Sequence, residues 1–309
     1  MWAGTGTGQE ATEDEKPKQM LIRKAAVIGA GTMGCGIATH LANAGVACLL
    51  LDIVPEGEGD RSRISSDAIA RALKTKPAAF MDPADAALLS AGNIEDDLDA
   101  LGECDWIIEA VTENLEVKRE IYEKIAPHRR PGSIISSNTS GISLGMLTEG
   151  FDDDFRSSFL VTHFFNPPRY MYLLELVRGP DTSDEVFSGI RDFAEARLGK
   201  GVVECKDTPN FIANRIGVLC MGASCVYQEE TGLSIEEIDA ITGPIIGRPK
   251  TATFKLHDLV GIDVALMVMK NVYDLVPDDE SRELFRAPAF LERLVEEGKL
   301  GRKSGGGFY

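Results

Sequence analysis

Short apolar runs alternate with helix-spaced apolar positions through the first two-thirds of the chain. Residues 25–28 (AAVI) are continuously apolar, as expected of a strand covered on both faces. Gly29-Ala30-Gly31-Thr32-Met33-Gly34 follows, and Met33, Ile37 and Leu41 then recur at helical spacing until Gly45 ends the pattern. A second apolar run, residues 47–51, ends in Asp52. Further strands are predicted at 103–111, 132–138, 159–165 and 173–177, with helical patterns between several of them, notably 115–126. Residues 60–90 read as an additional helical stretch. Such alternation predicts an α/β domain with a Rossmann-type doubly wound sheet, whose ligands lie beyond the carboxyl ends of the strands.

After Cys205 the strand signals stop. Pro209 is expected to open a long helix with Phe211, Ile212, Ile216 and Leu219 on its apolar face and Gly232 at its end. Three more helical stretches are predicted near 235–241, 258–272 and 281–297. The domain organisation is therefore a sheet domain over 21–205 followed by a smaller all-α domain over 206–309. Residues 1–20 lack an apolar core and read as a disordered tail. No run approaches the ~18 apolar residues of a membrane span. At the other end, the chain closes on GRKSGGGFY. Three consecutive glycines are costly to order, so packing of Phe308 and Tyr309, a cofactor or further chain must hold this segment.

Charge narrows the partners. The chain of 309 residues carries a net charge of −17, so a bare phosphate backbone is repelled and nucleic acid is not an expected partner. An anionic metabolite needs a local positive site. Arg61, Arg63, Arg71, Lys74 and Lys76 cluster within the 60–90 stretch, either as a solvated helix face or as a clamp for a phosphorylated substrate. Six cysteines show neither CxxC nor metal-ligand spacing, which suggests reduced thiols of a cytoplasmic protein.

The glycine spacing has a chemical meaning. Gly29 permits a tight turn, Gly31 lets backbone approach a pyrophosphate, and Gly34 lets helix pack close to strand. The helix N-terminus then offers free N–H groups to phosphate. Gly29, Gly31, Thr32, Met33 and Gly34 are thus candidate dinucleotide contacts, and Asp52 is the candidate acceptor for the adenosine ribose hydroxyls. No cation follows Asp52 to meet a 2′-phosphate, which favours NAD over NADP, while FAD shares the fingerprint.

Of four histidines, only His163 follows an apolar strand at the ligand edge of the predicted sheet. Glu175, in YLLELV, lies on the next predicted strand. A carboxylate on one ring nitrogen fixes the tautomer and leaves the other nitrogen as a general base. Asn138 reads as a turn-stabilising residue.

VIGAGTMGCGIA (27–38), EAVTENLEVK (109–118), SNTS (137–140), HFFNPP (163–168), LLELV (173–177), KDTPNFIANRI (206–216), DLVGID (258–263) and GRKSGGGFY (301–309) together resemble the 3-hydroxyacyl-CoA dehydrogenase family. The resemblance implies NAD-dependent oxidation of a 3-hydroxyacyl-CoA to the 3-ketoacyl-CoA. It also implies roles for individual residues: His163 as the base, Glu175 as its orienting partner, and Ser140 as a hydroxyl contacting substrate and nicotinamide. Asn214 would hold the substrate oxygen from the helical domain, and Asn166 would place nicotinamide or substrate. Ala110, Glu113, Lys118 and Lys303 match family cofactor contacts. An acyl-CoA substrate and a homodimer are the expected partners. Longer relatives continue into an enoyl-CoA hydratase-like portion, so the chain is expected to be, or to descend from, the dehydrogenase part of such a bifunctional protein. The family often has Ser where Gly141 stands and Gly where Asn210 stands. TATFKL (251–256) replaces a GPFEL-like segment and residues 53–80 align poorly, so no CoA-binding lysine is assigned. The alternatives are a related dehydrogenase acting on a sugar acid and a non-catalytic NAD-binding protein.

Overall fold

The computed structural model describes residues 20–309; the tail predicted for 1–20 lies outside them except at its last residue. The first domain runs β1 (Lys24–Ile28), α1 (Thr32–Asn43), β2 (Ala47–Asp52), α2 (Arg63–Ala72), β3 (Leu89–Asn93), β4 (Trp106–Glu109), α3 (Leu115–Ile125) and β5 (Ile134–Ser137). It continues through α4 (Leu144–Thr148), α5 (Asp153–Ser157), β6 (Phe159–Phe164), β7 (Leu173–Arg178), α6 (Asp184–Ala196) and β8 (Gly201–Cys205).

The eight strands form one sheet in the order β3-β2-β1-β4-β5-β6-β7-β8. Every neighbouring pair is parallel except β6 with β7. Along β1 the pleat splits the apolar run in two. Ala25 and Val27 pack with α1, α2 and α6 residues such as Ile37, Ala68 and Phe193, whereas Ala26 and Ile28 pack with Ile121, Leu144 and Phe155 of α3, α4 and α5. Burial on both faces is why these strands read as unbroken apolar runs.

Two strands escaped the sequence pattern. β3, inside the stretch read as helical, is the short LSAGN edge strand, and α2 fills only part of that stretch. β8 is the opposite edge strand, GVVEC. Edge strands are covered less completely, so neither carries a sustained apolar run.

The helical part comprises α7 (Ala213–Thr231), α8 (Ile235–Thr242), α9 (Phe254–Val260), α10 (Ile262–Leu275) and α11 (Ala289–Glu296). It has its own core, centred on Met221, Phe254, Ile262, Met269, Val272 and Leu291. Three expectations are corrected here. α7 does not start at Pro209, because Asn210 (φ 59°) and Phe211 (φ 50°) are left-handed. The helix predicted at 258–272 is two helices, broken where Gly261 takes φ 116°. The stretch at 281–297 is a 3-10 turn, Arg282–Phe285, and then α11, with Pro288 at its N-cap.

Packing secures the glycine-rich end. Asp258 Oδ1 accepts from the Phe308 amide at 2.9 Å and Oδ2 from the Tyr309 amide at 3.1 Å. The Phe308 ring lies 4.8 Å from that of Phe254, and the Tyr309 hydroxyl donates to Asp239 at 2.9 Å.

Candidate active site

The dinucleotide turn is built by close approach. Gly29 has φ +102°, and a Cβ there would meet the Ala110 carbonyl oxygen at 2.6 Å; a Cβ on Gly34 would fall 1.7 Å from the Gly29 carbonyl oxygen. Only glycine allows β1, its turn and α1 to pack this tightly. Gly31 differs: nothing lies within 4 Å of where its Cβ would be, so a ligand can approach the backbone there. Thr32, Met33 and Gly34 begin α1, whose first N–H groups lack intrahelical acceptors. Asp52 ends β2 with Oδ2 on the Ala30 amide at 2.5 Å and Oδ1 on the Ile53 amide at 2.7 Å, so its carboxylate borders the same turn. Open space over Gly31, helix N–H groups and a carboxylate at the β2 end fit the pyrophosphate and ribose of NAD.

Antiparallel pairing of β6 with β7 puts His163 directly opposite Glu175. Both are buried, and Nδ1 of His163 lies 2.7 Å from Glu175 Oε2. The second oxygen, Oε1, accepts from the backbone amides of Ile212 at 3.0 Å and Ala213 at 2.7 Å. Burial pushes the Glu175 carboxyl up, but the His163 hydrogen bond and the Ala213 and Ile212 amides outweigh it and hold the group below its ordinary value. An ionised Glu175 accepts only, so the Nδ1 proton stays on histidine and Nε2 keeps its lone pair. Nε2 faces the Ser140 hydroxyl at 3.2 Å. The pair is thus set up to accept a proton at Nε2 and stabilise the resulting imidazolium.

Ser140 sits in a loop anchored from several sides. Glu113 Oε1 accepts from the Thr139 hydroxyl at 2.6 Å and the Ser140 amide at 2.9 Å. Asn138 Oδ1 accepts from the Phe164 amide at 2.9 Å, tying the loop to β6 rather than closing a local turn. Behind it, Glu109 at the end of β4 is fully buried and accepts from Lys118 at 2.7 Å, Tyr122 at 2.7 Å, Ser137 at 2.6 Å and the Val111 amide at 2.7 Å. Sequence reasoning did not single out Glu109. The signal was available: a lone carboxylate ending the apolar run WIIE, with a lysine on the following helix.

The other expected residues divide into two groups. Asn214 is the second residue of α7, one position past Ala213, whose amide Glu175 binds. Asn166 and Ala110 lie in the loops after β6 and β4, with the Ala110 amide donating to Ile28 at 2.8 Å. Lys118 and Lys303, matched above to cofactor contacts, each stand in an ion pair. Lys118 is 1% exposed, its ammonium 2.7 Å from Glu109 and 3.3 Å from Glu113, so it supports the loop from within. Lys303 pairs with Asp263 at 2.5 Å inside the helical domain.

A cavity of 480 Å³ opens between α1, α2 and the loop after β6, lined in part by Gly31, Thr32, Arg71, Lys76 and Asn166. The clustered cations separate here. Arg61 pairs with Asp96 at 2.6 Å, while Arg71 and Lys76 face the cavity, with no ion-pair partner among the described residues.

A glycine turn suited to a dinucleotide and a carboxylate-backed histidine stand at the same edge of a doubly wound sheet, the arrangement that the class of NAD-binding dehydrogenases uses. Residues 24–208 match the 3-hydroxyacyl-CoA dehydrogenase NAD-binding domain and residues 211–309 match the C-terminal domain of that family; the chain belongs to the 3-hydroxyacyl-CoA dehydrogenase family. NAD is accordingly its cofactor. A Bacillus subtilis protein described as a probable 3-hydroxyacyl-CoA dehydrogenase is 48% identical over 93% of this chain, which spans 38% of that relative's length. A Deinococcus radiodurans protein of the same description is 46% identical over 94% of this chain and 83% of its own. The crystal structure of (S)-3-hydroxybutyryl-CoA dehydrogenase from Ralstonia eutropha superposes with a TM-score of 0.77 at 31% identity, covering 94% of this chain and 99% of that one.

Proposed function

We propose that the chain interconverts a 3-hydroxyacyl-CoA and the 3-ketoacyl-CoA with NAD. The observation that carries this reading is the Glu175–His163–Ser140 line, which leaves one nitrogen lone pair beside a hydroxyl at the ligand edge. In the oxidative direction His163 Nε2 takes the C3 hydroxyl proton, the O–H electron pair becomes the C=O bond, and the C3 hydrogen departs with its electron pair. Bound NAD⁺ supplies the acceptor for that hydride. Ser140 orients the C3 oxygen, and Asn214 holds it from the α7 side. Asp52, Gly29, Gly31, Thr32, Met33, Gly34, Ala110 and Asn166 contact the cofactor. Glu113 and Lys118 act by holding the Ser140 loop. Arg71 and Lys76 receive the phosphate-bearing tail of CoA, which accounts for two cations facing a cavity in an acidic protein.

A homodimer formed through the helical domain is supported by its exposed Ile241, Ile245 and Ile246. A cytoplasmic location is supported by six free cysteines. Among the described residues, no helix is long and apolar enough to cross a membrane.

The deciding experiment measures NADH oxidation with acetoacetyl-CoA beside NAD⁺ reduction with gulonate. Turnover of the first alone is expected. Turnover of gulonate alone replaces the CoA reading with the sugar-acid one, and no turnover of either leaves a non-catalytic NAD-binding protein. Asn214→Ala should lower kcat/KM for acetoacetyl-CoA at least tenfold (~1.4 kcal/mol) for a hydrogen bond strengthened in the transition state. Unchanged kinetics would remove α7 from the chemistry.

A further inference from the structure

Asn210 is an oddity beside the site. The residue is 4% exposed and its side-chain amide makes no hydrogen bond among the described residues, while neither amide atom is among those wholly closed to solvent. Its backbone is left-handed, φ 59°, and so is that of Phe211 next to it, a conformation L-residues adopt at a cost and asparagine tolerates better than most. The amide thus has a free donor that a ligand can reach, and local strain gathers where a site demands a particular placement.

Its position says what the placement serves. The residue lies against Gly141: a Cβ on that glycine would come 3.2 Å from the Asn210 backbone nitrogen and 3.6 Å from Nδ2. Gly141 directly follows Ser140, whose hydroxyl faces His163 Nε2. On the other side, the Phe211 ring meets the His163 ring edge-on at 5.6 Å. The amide is therefore held between the Ser140 loop and the start of α7, within one residue of the group that meets the C3 oxygen.

We propose that Asn210 is a substrate-contact residue whose Nδ2 donates a hydrogen bond to the thioester carbonyl oxygen of the acyl-CoA. This rests on the reaction proposed above. One carbon separates the thioester carbonyl from C3, so with the C3 oxygen between Ser140 and His163 the second oxygen falls one short step away, on the Gly141 side. Asn210 provides an unpaired donor there. A β-hydroxy or β-keto thioester is thereby read at both oxygens, and a simple ketone or secondary alcohol at only one.

The test compares Asn210→Gly with Asn210→Asp. Glycine takes the left-handed backbone without strain and deletes the amide, whereas aspartate keeps the shape and replaces the donor with a negative acceptor. Asn210→Gly is expected to raise KM for acetoacetyl-CoA, and its Kd by calorimetry, about tenfold for one lost hydrogen bond. KM for NADH should stay unchanged and the melting temperature should not fall. Asn210→Asp should bind more weakly than the glycine variant, because its carboxylate repels the carbonyl oxygen. Wild-type kinetics and Kd in either variant, or a lowered melting temperature as the only change, overturns the proposal. Tight acetoacetyl-CoA binding that depends on Asn210 but yields no wild-type turnover would retain the contact and reject the reaction. Neither binding nor turnover in the wild type would reject both.

Discussion

Replacing Glu175 with glutamine perturbs two things, and the geometry predicts each separately. The substituted side chain retains one oxygen, which the Ile212 and Ala213 amides, now 3.0 and 2.7 Å from Oε1, will claim. Its NH₂ group then faces His163 Nδ1, where the carboxylate oxygen sat at 2.7 Å. An NH₂ can only donate, so His163 must accept at Nδ1 and carry its proton on Nε2. The nitrogen facing Ser140 ceases to be a base. The equivalent exchange in a Ser-His-Asp triad costs about 10⁴ in kcat, so a loss of about 10³–10⁴, or roughly 4–5.5 kcal/mol of barrier, is expected here. Stability should change less. Two charge-assisted backbone bonds become neutral at about 1 kcal/mol each, partly offset because no charge is then buried, for a net loss of about 1–2 kcal/mol. The acid limb gives an independent check. The folded-state pKa of Glu175 lies below its unfolded value, so its contribution is fully present above that unfolded value, about 4.3, and is lost as pH falls through the folded one. Urea unfolding at pH 7 and pH 3 should therefore show a shallower acid loss for Glu175→Gln than for wild type. Steady-state kinetics with acetoacetyl-CoA and NADH measures the catalytic part. A variant within tenfold of wild-type kcat would refute the tautomer argument, as would fully additive losses on combination with His163→Gln.

Asp52→Ala should weaken NADH and narrow the gap to NADPH, measured as the ratio of kcat/KM values; a wild-type preference for NADPH would contradict the assignment of the β2 carboxylate. Lys118→Met leaves Glu109 charged at full burial with only hydroxyl and amide donors. Equilibrium unfolding should show a loss of about 3–5 kcal/mol, and a change under about 1 kcal/mol would mean the pair is dispensable. Tyr309→Phe removes the 2.9 Å hydrogen bond to Asp239 and should cost about 1 kcal/mol in the helical domain, read by calorimetry.

The residues that local chemistry constrains were legible along the chain. Gly29 and Gly34 have to be glycines because backbone comes too close for a Cβ, Gly31 leaves open space between them, and together they leave a fixed spacing. Asp52 terminates an apolar run and His163 stands in one, so each declares itself as a polar group at a sheet edge. Paired burial on both sheet faces made six strands visible as apolar runs, and its absence at the edges hid β3 and β8. Three-dimensional pairing decided the rest. The antiparallel register of β6 and β7 alone places Glu175 on His163, because a one-residue slip would turn the carboxylate to the opposite face. The start of α7 was set by Glu175, far away in sequence, rather than by Pro209. Lys118 meets Glu109 and Lys303 meets Asp263 through carboxylates that no spacing rule ties to them. Sequence periodicity reports which side chains leave water; which charges then meet depends on the register and docking of whole elements.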